Sequence, residues 1–212
     1  TFDIQLVVTD MYGCRDTVTK TAYIRIVGPV PYFKLYNNKG CEPLTVHIVD
    51  SSRYVSKFYF NYGFGPIDST AIGDKTYYLA SATAPFTVYH PSLSVYDNSG
   101  TCFQFYQPAD SIVVYRNPQA GFYVNDSTDC APFGVQFVDT SKGAVKWRCD
   151  YENDGITDGN IQNPIHVFGT AGKYTVKLIV TNIYGCTDTL IKPDFIESYQ
   201  IPDAQFAVLD TA

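Results

Sequence analysis

The sequence is poor in the residues and runs that mark many functional classes. It has three histidines, one methionine and one tryptophan in 212 residues. No Cys-x-x-Cys pair occurs, so the spacing of a zinc site is absent. Fifteen basic residues are outnumbered by 21 acidic ones, for a formal charge of −6. Such a chain is repelled by phosphate backbones and anionic lipid, which argues against a nucleic-acid or membrane-surface partner. No segment approaches the roughly 20 consecutive apolar residues that span a bilayer. No basic-then-apolar leader stands at Thr1, so any export signal is expected outside this stretch. His47, His90 and His166 belong to a strand face, a pre-proline position and a strand start, not to a catalytic constellation. No Ser or Cys sits in a nucleophile-elbow motif, and the chain reads as no enzyme.

What is abundant favours strands. Eighteen Tyr and 14 Phe accompany recurrent Val, Thr and Ile, residue types that fit a pleated, half-buried surface. Fifteen Gly and 12 Pro punctuate the apolar runs, as many short strands joined by turns require. Six cysteines (Cys14, Cys41, Cys102, Cys130, Cys149 and Cys186) in an acidic chain of this kind point to an oxidising, extracellular or cell-surface location.

The chain repeats itself. Residues 2–24 (FDIQLVVTDMYGCRDTVTKTAYI) align without a gap on residues 174–196 (YTVKLIVTNIYGCTDTLIKPDFI). A weaker middle copy runs through Leu93, Val95, Asp97, Gly100, Cys102 and Ile112. Residues 41–52 (CEPLTVHIVDSS) recur as residues 130–141 (CAPFGVQFVDTS), at an offset of 89. A period of this length suits one small β-sandwich per repeat, not the rung of a solenoid. The boundaries that follow are 1–28, the closing hairpin of a partial domain; 29–116 and 117–200, two whole domains; and 201–212, the first strand of another. Neither end piece buries an apolar face alone, so the natural chain is expected to be longer.

Within 117–200, strands are predicted around 120–126, 134–140, 145–150, 166–168, 174–182 and 186–196, with turn signals between them. The expected fold class is all-β: tandem immunoglobulin-like, antiparallel Greek-key β-sandwiches arranged end to end. Short, Pro-bearing linkers (residues 28–31, 117–119 and 200–202) would hold neighbours and limit bending.

These motifs resemble the polycystic-kidney-disease (PKD) domain. The stretch Cys149-Asp150-Tyr151-Glu152-Asn153-Asp154-Gly155 lies where that family has its Trp-Asp-Phe-Gly-Asp-Gly turn. Asn163-Pro164-Ile165-His166-Val167-Phe168 and Gly172-Lys173-Tyr174-Thr175-Val176 match two further family segments. The middle repeat departs: Phe60-Asn61-Tyr62-Gly63-Phe64-Gly65 has lost both acidic residues, and Cys149 stands at the family's core Trp position. The Cys-x-Pro opening paired with a Gly-Cys-x-Asp-Thr ending is similar to tandem arrays in giant surface proteins of Bacteroidetes, including gliding adhesins exported by type IX secretion. That resemblance implies a secreted or cell-surface stalk in cell adhesion or gliding motility. Its partners would be neighbouring PKD-like domains of the same chain and a surface glycan or protein. The competing implication is an accessory polysaccharide- or protein-binding module of a secreted enzyme.

Two sets of candidate site residues follow. Asp150, Glu152, Asp154 and Asp158, with Asn153, present hard oxygens at alternate positions, the way a loop wraps calcium. The competing reading is a turn in which these side chains bond their own backbone. In an immunoglobulin-like sandwich, the opening cysteine of a domain and its own hairpin cysteine lie at opposite ends, too far apart for a disulfide. The opening cysteine does face the hairpin cysteine of the next domain. Cys41 is therefore expected to pair with Cys186, and Cys14, Cys102 and Cys130 with units partly or wholly outside this stretch. Cys149 is read as a buried thiol, with pairing to Cys130 as its alternative. The aromatics Tyr54, Tyr59, Tyr62, Phe64, Tyr77, Tyr78, Phe105 and Tyr106 offer either a sugar-stacking platform or ordinary core and sheet cover.

Overall fold

The computed structural model describes residues 1–25 and 27–206. Among them are eighteen β-strands and no helix, so no helix is long and apolar enough to cross a membrane. β1 (Phe2–Thr9) and β2 (Arg15–Ile24) form a hairpin. Next come β3 (Phe33–Tyr36), β4 (Lys39–Cys41), β5 (Leu44–Asp50), β6 (Lys57–Asn61), β7 (Lys75–Tyr77) and β8 (Phe86–Tyr89). β9 (Ser92–Tyr96), β10 (Phe103–Tyr106) and β11 (Ile112–Tyr115) complete the middle repeat. The third repeat holds β12 (Phe122–Val124), β13 (Thr128–Cys130), β14 (Phe133–Asp139), β15 (Lys146–Asp150), β16 (Ile165–Phe168), β17 (Gly172–Thr181) and β18 (Thr187–Tyr199).

Packing divides the chain into two compact units. The first comprises Thr1–Asn38, Thr45–Thr76 and Val88–Ile112; the second comprises Lys39–Leu44, Tyr77–Thr87 and Val113–Ala212. This division cuts across the sequence period, because segments at one end of the middle repeat pack with the third repeat. Of the strand expected at 201–212, residues 201–206 carry no strand and residues 207–212 lie outside the described residues.

In the first unit, the alternation of Leu-Thr-Val-His-Ile along β5 buries Val46 and Ile48 and turns His47 outward. β5 pairs with β3, and β9 pairs with β6 and β10. Phe33 of β3 meets Phe60 of β6 edge-on at 4.9 Å, with Leu93 and Val95 of β9 fully buried beside them. Burying apolar area at about 25 cal/mol per Å² makes such rings the main source of cohesion.

In the second unit, residues 117–200 form an immunoglobulin-like sandwich. One sheet has the order β12-β14-β16 and the other β13-β18-β17-β15. Phe122, Phe133, Val135, Phe137 and Phe168 from the first sheet pack on Cys149, Val176, Leu178, Val180 and Ile196 from the second. The core thus lies between the sheets, and the period-2 alternation of β14 and β17 puts it there.

Two details correct the sequence reading. The sheets are not wholly antiparallel: β13 runs parallel to β18, and β4 runs parallel to β11. Cys130 and Cys41 accordingly sit at the ends of these short strands. The physical reason is a switch of sheets. The chain leaves β12 in one sheet, crosses, and adds β13 to the edge of the other, alongside its last strand and in the same direction. Three-residue strands such as Thr-Asp-Cys carry no readable periodicity.

Candidate functional site

Chemistry-bearing residues gather in the second unit around a hairpin turn. Asn182 Oδ1 accepts hydrogen bonds from the backbone N–H of Tyr184 and of Cys186, both at 2.9 Å. Gly185 takes φ +85°, a left-handed conformation that suits glycine in this turn. The turn presents Cys186 to Cys41, and the two form a disulfide with a Cα–Cα distance of 5.6 Å across 145 residues. Tyr184 stacks on Tyr115 with centroids 4.4 Å apart and planes 10° from parallel. Asn182 Nδ2 donates to the Arg116 carbonyl at 2.7 Å, and Asn117 Nδ2 donates to the Glu42 carbonyl at 2.7 Å. Asp188 Oδ2 receives the Ala120 N–H at 2.8 Å. Apart from the disulfide, the members of this joint are polar groups satisfied by a neighbour and a ring stacked on a ring.

A groove of about 690 Å³ opens beside the joint, lined by Glu42, Pro85, Arg116, Pro118, Lys142 and Tyr184 among others. Of its three charged side chains, Arg116 and Glu42 are bonded to backbone. Arg116 donates to the carbonyls of Ala84 at 2.8 Å and Ser81 at 2.5 Å, and Glu42 Oε2 accepts from Leu79 N–H at 3.3 Å.

The acidic turn of the third repeat turns inward on itself. Asp150 is buried, and its two oxygens accept the N–H groups of Asp154 at 3.1 Å and Gly155 at 3.0 Å. Asp154 Oδ1 accepts from Ile156 at 2.8 Å, and Asp158 Oδ2 accepts from Tyr151 at 2.7 Å. Glu152 approaches His166 at 3.5 Å, and burial, followed by the Asp158 carboxylate, raises its pKa. The structure does not bring Asp150, Glu152, Asp154 and Asp158 together around one point. Among the described residues, no group of three or more His, Cys, Asp or Glu side chains could hold a metal ion. Three of the four carboxylates accept backbone N–H groups of the turn, and Asp154 does so two residues on, as in an Asx turn.

Of the remaining cysteines, Cys14, Cys102 and Cys130 are exposed thiols and Cys149 is buried and unbridged. Burial pushes the Cys149 thiol above its ordinary pKa, which leaves little thiolate to act as a nucleophile. His166 stacks on Tyr151 at 4.1 Å, and His47 contacts Asp74 on the surface of the first unit. The aromatics of the middle repeat divide: Tyr62 and Tyr77 are buried, whereas Tyr54, Tyr78 and Phe105 are exposed. Tyr59 meets Tyr96 edge-on, at 84° between planes, so these two rings form no flat stacking surface. Sequence reasoning missed the Tyr115–Tyr184 stack and the Asn182 and Asp188 contacts. Recurrence of Tyr-Gly-Cys-x-Asp was the signal that held them.

A match to a protein family agrees with this architecture in the third repeat. Residues 117–195 match the PKD domain family. The chain is similar to the PKD1 domain from the Vibrio cholerae metalloprotease PrtV, with 26% identity over 39% of this chain and 99% of that one, at a TM-score of 0.33. It is likewise similar to the PKD1 domain of Vibrio anguillarum Epp, with 25% identity over 39% and 96% of the two chains and a TM-score of 0.33. A third likeness is to fibronectin(III)-like modules of Clostridium thermocellum CbhA, with 12% identity over 84% and 100% and a TM-score of 0.37. No curated protein sequence matches the chain significantly.

Proposed function

We propose that the chain is a non-catalytic segment of a large, repetitive, secreted or cell-surface protein, in which sandwich repeats form a spacer that carries an adhesive part away from the surface. The observation that carries this reading is the Cys41–Cys186 bridge, which ties the opening of one sequence repeat to the closing hairpin of the next. A covalent tie, a stacked tyrosine pair and side chains bonded to linker backbone suit a joint that transmits force. The PKD match over residues 117–195 supports an extracellular module. Export by type IX secretion and a role in gliding belong to the same proposal, resting on the Cys-x-Pro and Gly-Cys-x-Asp-Thr pattern.

Single-molecule stretching tests it. The bridge locks 145 residues out of extension, so reductant should add about 50 nm of contour length at roughly 3.4 Å per residue. Equal extension with and without reductant would overturn the spacer reading. Specific binding on a glycan array, lost on Tyr59→Ala, would favour a polysaccharide-binding module instead.

A further inference from the structure

The middle repeat has a sheet edge whose chemistry differs from that of the same strand in the other copies. Among the described residues, β10 pairs with β9 on one side and with no strand on the other. The Asp97 N–H donates to the Cys102 carbonyl at 3.2 Å, so Cys102, Gln104 and Tyr106 turn their backbone groups towards β9. Phe103 and Phe105 then direct their N–H and C=O groups to the open edge. Their rings stand on the outer face of the sheet, since its inward positions are Phe60 of β6 and Leu93 and Val95 of β9. Phe103 is 48% exposed and Phe105 is 55% exposed.

The ladders identify the counterparts. Phe103 and Phe105 lie opposite Tyr96 and Ser94, as Thr187 and Thr189 lie opposite Thr181 and Ile179, and as Arg15 and Thr17 lie opposite Thr9 and Val7. The residue between them is Gln104 in the middle repeat, but Asp188 and Asp16 in the other two copies. Thr187 and Thr189 are exposed although Cys186 beside them is bridged to the preceding repeat, so a completed joint leaves this edge open. Natural sheet edges are commonly blunted by charge, and Phe103-Gln104-Phe105-Tyr106 carries none.

We propose that the β10 edge is a pairing site for the β10 edge of a second copy of this chain, the two strands running antiparallel about a two-fold axis at Gln104. The strand is self-complementary in that register. Phe103 exchanges backbone hydrogen bonds with Phe105 of the second copy, and Phe105 does so with its Phe103. The facing rings extend a strip that already crosses the sheet, in which Tyr59 lies 5.9 Å from Tyr96 and Tyr96 lies 5.2 Å from Phe103. These rings meet at 84° and 48°, a surface that fits further aromatic side chains better than the flat face of a sugar. The same register would set Asp188 against Asp188, or Asp16 against Asp16, and like charges directly opposite are destabilising. The pairing therefore selects the middle repeat. Such a contact is isologous and closes at two copies.

The pairing is independent of the spacer reading. Its test is sedimentation of the full chain carrying Cys14→Ser, Cys102→Ser and Cys130→Ser, which keeps the Cys41–Cys186 bridge and excludes disulfide-linked dimers. A concentration-dependent dimer is expected. Phe103→Lys or Phe105→Glu should each raise the dissociation constant about two- to thirtyfold, since either change removes both cross-strand aromatic pairs. Gln104→Asp, the residue of the other two copies, should weaken the dimer as well. Mixing the Phe103→Lys and Phe105→Glu chains should restore association, because the new ammonium and carboxylate then face each other and the remaining rings still pair. Mixing Phe103→Lys with Phe103→Glu should not, because those positions are not opposite. A chain that is monomeric at every concentration overturns the proposal, as does a dimer that the single variants leave intact or that both mixtures restore alike. Extension on reduction of the Cys41–Cys186 lock reads the spacer separately from any of these outcomes.

Discussion

The hairpin β1–β2 and the hairpin β17–β18 have similar sequences and opposite surroundings. Their turns are built alike, with an Asx side chain accepting two N–H groups and a glycine at φ +85°. Their strands slip register at corresponding places, Phe2/Ile4 and Tyr174/Val176. In each bulge a residue takes positive φ, Ala22 at 53° and Asp194 at 48°, and donates its N–H to a side chain of the facing strand. Lys20 lies 4.7 Å from the Tyr23 ring centroid, and Lys192 lies 4.2 Å from that of Phe195. Yet every side chain of β1 and β2 is exposed, whereas Val176, Leu178 and Val180 are core. Local sequence thus builds the hairpin, and what covers it is a separate matter.

The comparison breaks most visibly at equivalent leucines. Leu178 is 4% exposed and Leu6 is 57% exposed. Leu178→Ala should lower the free energy of unfolding by about 2–5 kcal/mol through lost burial and a residual cavity. Leu6→Ala should change it by less than about 0.5 kcal/mol. Urea titration of the two variants checks both, and equal losses would show that β1–β2 is covered in solution.

A smaller effect is expected at the turn. Asn182→Asp preserves the acceptor oxygen but removes the donor to the Arg116 carbonyl, at a cost of about 1–3 kcal/mol for a half-buried acceptor left facing a carboxylate. Asp10→Asn, the reverse change in the exposed hairpin, should leave stability within about 0.5 kcal/mol. Thermal or urea unfolding of this pair reads whether the difference between the turns resides in the joint.

The smallest effect is one of pH. Glu152, facing Asp154, Asp158 and His166, has its pKa raised by burial and then by Asp158. The folded state therefore holds that proton to a higher pH than the unfolded chain, whose Glu titrates near about 4.3. Its favourable contribution is complete below the unfolded pKa and is lost as pH rises through the folded one. Glu152→Gln should flatten the fall in stability as pH rises from the unfolded value of about 4.3. An unchanged slope in urea midpoints would remove Glu152 as its source.

Much of the fold was legible because the signals were periodic. Alternation along 133–139 and 174–181 marks inward residues without reference to any partner, and the doubled Cys-x-Pro and Tyr-Gly-Cys motifs mark the repeat. Three-residue strands escaped for want of a period. The acidic turn was ambiguous for another reason. Carboxylates that wrap a cation and carboxylates that cap their own turn use the same residues, and only the backbone path through Gly155 (φ 92°) shows Asp150 facing the amides of the turn.

By itself, the sequence determined the strands with clear alternation, the turn at Tyr-Gly-Cys, the bulge behind it and the repeat length, because each depends on neighbours within a few residues or on one strand's period. Tertiary structure alone decided that β4 and β13 run parallel to the last strand of their sheets, and that Tyr184 finds Tyr115. Those outcomes depend on surfaces contributed from far along the chain. Burial and stacking are properties of the pair that meets, and no single segment encodes them.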